Sequence, residues 1–259
     1  MRARLFAMAA ALGLMFTGVG YSHVAHASGD TPELPDHEWK HTGVFGTFDR
    51  DELHRGFQVF QEVCASCHSL EFIAFRNLAE IGFSEEQIKA IAAEYEVEDG
   101  PDNEGEMFMR PARASDYFPA PFANPQAARA SNGGALPPDL SLMVKARDGG
   151  IDYLYGLLTG YEDEAPEGFE LVEGMSYNHY FRGNQIAMPA PLYDEAVEYA
   201  DGTETSIAQL SHDVSVFLAW TAEPEMEIRK KTGLKVLIFI AIFTALIYII
   251  KRRIWAKLH

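Results

Sequence analysis

The sequence predicts a mainly α-helical domain with long irregular loops, followed by one C-terminal transmembrane helix. Three observations carry that expectation. Apolar residues recur at three- and four-residue spacing in several capped stretches. The stretches 98–123, 131–138 and 161–191 are rich in Pro, Gly and Asn, and 236–250 (VLIFIAIFTALIYII) is an apolar run without charge. The chain has 259 residues. No internal repeat or clean linker divides its middle, and about 200 residues suit one domain.

The N-terminus reads as a leader. A basic start (MRAR) precedes an apolar run from Leu5 to about Gly18, and Ala25-His26-Ala27 offers a small-x-small cleavage site. That is the layout of a secretory signal peptide, with an uncleaved N-terminal anchor as the alternative. A mitochondrial presequence would be rich in Arg and Ser along an amphipathic helix. The expectation is therefore a signal peptide over 1–27, cleavage after Ala27, and export of 28–228 to a bacterial periplasm.

The helices follow in order. Asp49 is placed to cap a helix whose apolar positions are Leu53, Phe57, Phe60 and Cys64. Ser84 and Gln87 have capping-box spacing, with Phe83 and Ile88 placed as a hydrophobic staple. Asn124-Pro125 opens a short helix. Asp139 is expected to start another that ends near Gly149-Gly150, and Asp152 one that stops at Gly160. Leu210, Val214, Phe217 and Leu218 mark an amphipathic helix interrupted by Pro224.

The span itself covers about 233–250, with Lys235 snorkelling. Eighteen residues at about 1.5 Å each give roughly 27 Å, enough to cross a bilayer core. A buried core helix would need a polar face, which Thr244 alone does not supply. Lys251, Arg252, Arg253 and Lys257 follow the span, so the positive-inside rule puts this end in the cytoplasm. Residues 229–259 are thus a membrane anchor with a basic tail, holding the protein in lipid from behind.

Charge narrows the partners. Two basic residues fall in the leader and eight lie at or beyond Arg229, so 28–228 keeps 11 of the 21 basic residues against all 38 acidic ones, a formal −27. Such a surface repels nucleic acid and speeds encounter with basic partners in a salt-dependent way. The acid-rich stretches 94–106 and 162–173 are the strongest candidates for that docking, although solubility alone also accounts for an acidic surface.

The two cysteines of the chain sit in CASCH at 64–68. A structural zinc site needs four ligands, and with no second Cys pair histidines would have to complete it. A redox dithiol expects a strand–helix unit, whereas a helical pattern precedes this motif. A disulfide between residues so close would staple almost nothing. Covalent haem attachment uses all three residues: Cys64 and Cys67 add to the vinyl groups, and His68 becomes an axial ligand of the iron. Long loops wrapped around a large prosthetic group fit the same reading.

A sixth ligand is then wanted. Met143 sits on an apolar helical face and Met226 abuts the span, so both are better explained by packing. Met188 lies in the proline-stiffened stretch IAMPAPL at 186–192 and ranks first, Met175 second and His179 third. A thioether ligand raises the reduction potential and, with both axial sites filled, leaves the iron no place for a substrate.

Together these features resemble the cytochrome c1 family, haem c subunits of ubiquinol–cytochrome c oxidoreductase (bc1) complexes, in an alphaproteobacterial form. The similarity runs from about Trp39 to Lys257. It rests on RGFQV at 55–59, the haem motif with FRNL at 75–78 behind it, and RASNGGALPPDLS at 129–141. Further on come Asp152-Tyr153, LLTGY at 157–161, Tyr177-Asn178, IAMP at 186–189 and the tail over 211–231.

The resemblance implies a cytochrome c-like haem domain holding one covalent haem c, with Met188 as sixth ligand and Arg129 as partner of a haem propionate. It implies cytochrome b and the Rieske iron–sulfur protein as partners, and a soluble cytochrome c as acceptor of one electron in a respiratory or photosynthetic chain. The subunit would do no substrate chemistry of its own. Two departures stand out: Leu142 replaces a frequent aromatic residue, and the extra cysteine pair that clips the ligand loop in some relatives is missing. The Met188 loop is therefore expected to be held by packing and by Pro189 and Pro191 alone. The alternatives are another membrane-tethered c-type cytochrome that feeds a terminal oxidase, and a periplasmic thiol–disulfide enzyme using Cys64 and Cys67.

Overall fold

A computed structural model of the chain describes residues 32–256; the predicted leader at 1–27 and Lys257 lie outside them. Helix α1 (Arg50–Glu62) starts where Asp49 turns extended and its carboxylate accepts the Asp51 amide. Asp51 and Glu52 in the first turn complement the helix dipole. The helix stops two residues short of Cys64, and a 3₁₀ turn (Cys64–Ser66) carries the first cysteine. A second 3₁₀ segment (Phe75–Ile81) and α2 (Glu85–Ala93) follow. Ser84 and Gln87 form the expected reciprocal capping box. Phe83 packs its ring on His54 and Phe57, at 4.3 and 5.4 Å between centroids.

The stretch 98–123 is less irregular than its composition suggested. Strands β1 (Glu96–Asp99) and β2 (Phe108–Pro111) pair antiparallel, with Glu96 opposite Pro111. The Arg110 guanidinium bonds Asp99 and Asp116, tying the hairpin to the loop after it. Helix α3 (Pro125–Ser131) is capped by Asn124 as expected.

Two starts differ from expectation. Asp139 opens no helix; a short α4 (Met143–Ala146) appears instead. The Asp139 carboxylate accepts from Ser69, from the Glu71 amide and from the Ser141 amide at 2.8–2.9 Å. A side chain engaged across the chain cannot also cap the next turn. Helix α5 (Gly150–Thr159) starts two residues before Asp152 and ends at Gly160 as expected. Asp152 sits in its first turn and accepts the Trp39 indole N–H at 2.6 Å.

A two-residue ladder, β3 (Ser176–Tyr177) with β4 (Gln185–Ile186), lies inside the stretch 161–191. Helix α6 (Ile207–Ala222) was expected to be amphipathic but is buried on nearly every side from Leu210 to Ala222, because α1, α4 and α5 all pack against it. Helix α7 (Met226–Trp255) then runs 30 residues without a break. Its best 18-residue window has a mean hydropathy of 2.5 with none of it buried, so it is long and apolar enough to cross a membrane. By length and composition it fits a membrane anchor.

The α1–α6 crossing centres the core. A Cβ on Gly56 would lie 2.0 Å from the Asp213 carbonyl oxygen and 2.7 Å from Phe217 Cβ, so only glycine lets the helices approach this closely. Around that point Phe57, Phe60, Phe118, Phe217 and Trp220 stack edge to face or tilted, at 5.6–6.2 Å. Each fully buried ring contributes about 1.5–3 kcal/mol. Beside them Arg55 grips the fully buried Asp213 with two bonds, 2.8 and 3.1 Å, and reaches Asp201 at 2.9 Å. The turn that carries the cysteines therefore hangs from the most tightly fixed helix pair in the domain.

Only residues 223–225 separate α6 from α7. Glu227 accepts the Phe48 amide at 2.9 Å and both Arg50 guanidinium nitrogens at 3.1–3.2 Å. Arg229 pairs with Glu223, which also meets Lys145. The head of the anchor is thereby joined to the domain on two sides.

Candidate haem attachment site

Cys64, Cys67 and His68 come together on one turn. The Cys67 and His68 amides both donate to the Cys64 carbonyl, at 3.1 and 2.9 Å. The thiols are not joined to each other. Burial, with Cys67 as the smaller cause, pushes the Cys64 thiol up to about 12. A redox dithiol uses a thiol shifted the other way. Among the described residues no group of three or more His, Cys, Asp or Glu is arranged to hold a bare metal ion.

The histidine is oriented from behind. His68 Nδ1 lies 2.8 Å from the Pro138 carbonyl oxygen. A carbonyl can only accept, so Nδ1 carries the proton and Nε2 keeps the ring's lone pair. Burial holds the imidazole pKa below its usual value, favouring the neutral form a metal ligand requires. Pro138 is placed in turn by its neighbour: the Leu140 amide donates to Ser69 at 2.9 Å, and the Asp139 carboxylate clasps Ser69 and Glu71. The run PPDLS thus lies along the segment just after the histidine and presents one carbonyl to its ring.

Met188 sits half-buried on a separate loop. The Tyr161 hydroxyl donates to the Met188 carbonyl at 3.2 Å. Tyr161 bridges to Asn178, which is fully buried. The Asn178 amide group donates to the Leu157 carbonyl at 2.8 Å and accepts from the Tyr180 and Phe181 amides at 3.0–3.1 Å. This corrects the expectation that packing and Pro189 and Pro191 alone hold the loop. Met175 and His179, the second and third choices, are exposed; Met175 lines a shallow cavity with Tyr161, Tyr177 and Ala190. Met143 and Met226 are buried in the core, as their sequence context suggested.

Arg129 is exposed in the last turn of α3 and donates to the Gly134 carbonyl at 2.9 Å, across the Asn-Gly-Gly turn. Neither Arg129 nor Met188 hydrogen-bonds the cysteine turn. Leu142, the departure noted in the sequence, is half exposed.

The donor set suits a c-type haem: two unjoined thiols one turn apart, an imidazole with one nitrogen committed, and a thioether on a pinned loop. Sequence reasoning missed the roles of Pro138, Asp139, Tyr161 and Asn178. All four stood inside quoted motifs, yet nothing local in a Pro-Asp or a Tyr-Asn pair reveals partners tens of residues away.

The sequence profile of the Cytochrome C1 family matches residues 39–258. The chain is 45% identical over 256 residues to cytochrome c1 of Rhodospirillum rubrum, covering 93% of each chain. It is 51% identical over 224 residues to the mitochondrial cytochrome b-c1 complex catalytic subunit of Candida albicans, covering 86% of this chain and 78% of that one. It is also 47% identical over 270 residues to cytochrome b/c1 of Bradyrhizobium diazoefficiens; that alignment takes in 96% of this chain but only 39% of the longer relative.

Proposed function

The chain belongs to the Cytochrome C1 family, and from that premise we propose that it is the haem c subunit of a complex with cytochrome b, passing one electron from a Rieske iron–sulfur protein to a soluble cytochrome c. The observation that carries the reading is the His68 Nδ1–H bond to the Pro138 carbonyl, which commits one ring nitrogen and reserves the other. When bound, the haem supplies a one-electron iron couple. The chain's residues do the rest. Cys64 and Cys67 would hold the haem through thioether links, and His68 Nε2 and Met188 Sδ would bind its iron. Asp139 and Pro138 fix the imidazole plane, while Tyr161 and Asn178 fix the approach of the thioether. Arg129 sits at the end of α3 as the cation for a propionate. With the iron held by two side chains, it would pass electrons and offer no place for a substrate.

In this reading residues 1–27 are a cleaved leader, 28–228 form the periplasmic domain, and 229–259 anchor it with the C-terminus in the cytoplasm. The −27 formal charge of the domain then attracts a basic acceptor.

Gentle solubilisation and purification through this chain should bring down a b-type cytochrome and a Rieske protein. Recovery of the haem protein without either sinks the proposed role. Met188→Leu should keep the covalent haem and lower its potential by hundreds of millivolts, on the order expected for losing a thioether ligand. An unchanged potential moves the ligand elsewhere.

A further inference from the structure

One exposed apolar feature lies just ahead of α1 in sequence and beside the head of the anchor in space. Residues 42–48 (TGVFGTF) carry no charged side chain, in a domain with a formal charge of −27. At the tip of this loop Val44 and Phe45 are 74% and 81% exposed. Scattered exposed apolar residues need no explanation. These two are adjacent, however, and held on a closed loop.

The loop is tight at its neck. A Cβ on Gly46 would lie 1.9 Å from the Thr42 carbonyl oxygen, so the backbone closes on itself there. Lys230 locks the closure by donating to the His41 and Gly46 carbonyls at 2.6 and 2.9 Å. Next to the loop, the Phe48 amide bonds Glu227. Both anchoring side chains belong to α7. Lys230 precedes Gly233, the start of the apolar span, by three residues, or about 4.5 Å of helix rise. The loop is therefore fixed at the height where α7 enters the bilayer.

Charge points the same way. An acidic domain is repelled by an anionic lipid surface, and the parts able to approach one are the uncharged loop and the basic run Arg229, Lys230, Lys231. Ile228, 60% exposed, extends the apolar surface along α7.

We infer that the 42–46 loop is a second lipid contact, with Val44 and Phe45 set into the boundary between headgroups and acyl chains on the domain's side of the membrane. An aromatic and a branched apolar residue at that depth match the interfacial preference of such side chains. Helix α7 anchors the chain; the loop fixes how the domain leans on the surface.

The test uses the full-length holoprotein, in which Cys64 and Cys67 are consumed by thioether links, so Phe45→Cys and Val44→Cys each supply a single reactive thiol. Label on the unsubstituted holoprotein would count against the haem reading and not against the loop. Each variant takes a nitroxide label, with Val172→Cys in the acid-rich loop as the aqueous reference. The proteins are placed in vesicles of phosphatidylethanolamine and phosphatidylglycerol, alone and after mixing with cytochrome b. Relaxation by oxygen, which concentrates in lipid, is compared with relaxation by a water-soluble nickel chelate. The expected oxygen-to-nickel ratio at positions 44 and 45 is several-fold above that at 172, in both preparations. A ratio equal to that at 172 places the loop in water and overturns the inference. Loss of access to both reagents on adding cytochrome b assigns the loop to a protein contact and overturns it as well.

Discussion

Cys64, Cys67 and His68 hang from α1, whose Phe57 and Phe60 pack against Phe217 and Trp220 of α6 and whose crossing with α6 admits no side chain at Gly56. Met188 stands on a loop tied by the Tyr161 hydroxyl, the buried Asn178 amide and a two-residue ladder. One arm of the site is held by packed apolar surface, the other by a few polar bonds. The difference matters because the two kinds of support fail differently. Packing is lost only with the whole core, whereas a handful of hydrogen bonds worth about 0.5–1.5 kcal/mol each can open locally. In the proposed ligation, the thioether arm is the place where the ligand would yield while the domain stays folded.

The packed arm is broken most directly at Gly56. In Gly56→Ala the new methyl meets the Asp213 carbonyl and Phe217 Cβ, neither of which is the free end of a flexible chain. The expected cost is about 3 kcal/mol or more. For a domain of this size that lowers the thermal midpoint by roughly 2–4 °C for each kcal/mol. A calorimetric scan of the holoprotein checks it; an unshifted midpoint would show that the crossing has slack.

A pH series sharpens the comparison at the entry to α1. His41 stacks on Phe48, just ahead of the Asp49 cap, with 4.8 Å between ring centroids. Burial, and then the Lys230 charge, lower its pKa from 6.5 to about 4. The unfolded chain therefore takes up a proton that the folded one refuses. Stability is complete above about pH 6.5 and falls toward pH 4, by up to about 1.4 kcal/mol per pH unit from this group. His41→Phe should flatten that part of the thermal-midpoint profile between pH 7 and pH 4.5. Parallel profiles for the two proteins would remove His41 as the cause.

The smallest effect is expected on the bonded arm. Tyr161→Phe removes one hydroxyl bond, about 1 kcal/mol, and should leave the global melt nearly unchanged. Methionine ligation, followed by the sulfur-to-iron charge-transfer absorption of the oxidised protein, should instead give way at lower denaturant concentration. If ligation and the global melt move together, the two arms are one cooperative unit and the contrast drawn above is wrong.

The packed arm was the more legible in the sequence, and the reason is physical. Asp49, Ser84 with Gln87, and Asn124 announce helices through bonds made within three residues, and the motif at 64–68 gathers its three residues within five positions. The bonded arm depends on partners far along the chain. Tyr161 meets Met188 across 27 residues and Asn178 reaches back 21 to Leu157, distances at which no local pattern survives. Asp139 misled for the same cause: its carboxylate looked like a helix cap but serves Ser69, 70 residues earlier. The β1–β2 hairpin was hidden because each strand has only four residues and neither buries one fully, so no apolar face marks them in the sequence.

Only residues 223–225 lie between α6 and α7, and Glu223 and Glu227 bind both sides of that joint. A redox centre mounted this way has no leash. In the proposed role it would not swing toward a donor and then away toward an acceptor; its height above the membrane and its facing would be set once, when the chain folds. Any travelling needed to collect and deliver an electron falls to the molecules on either side of it.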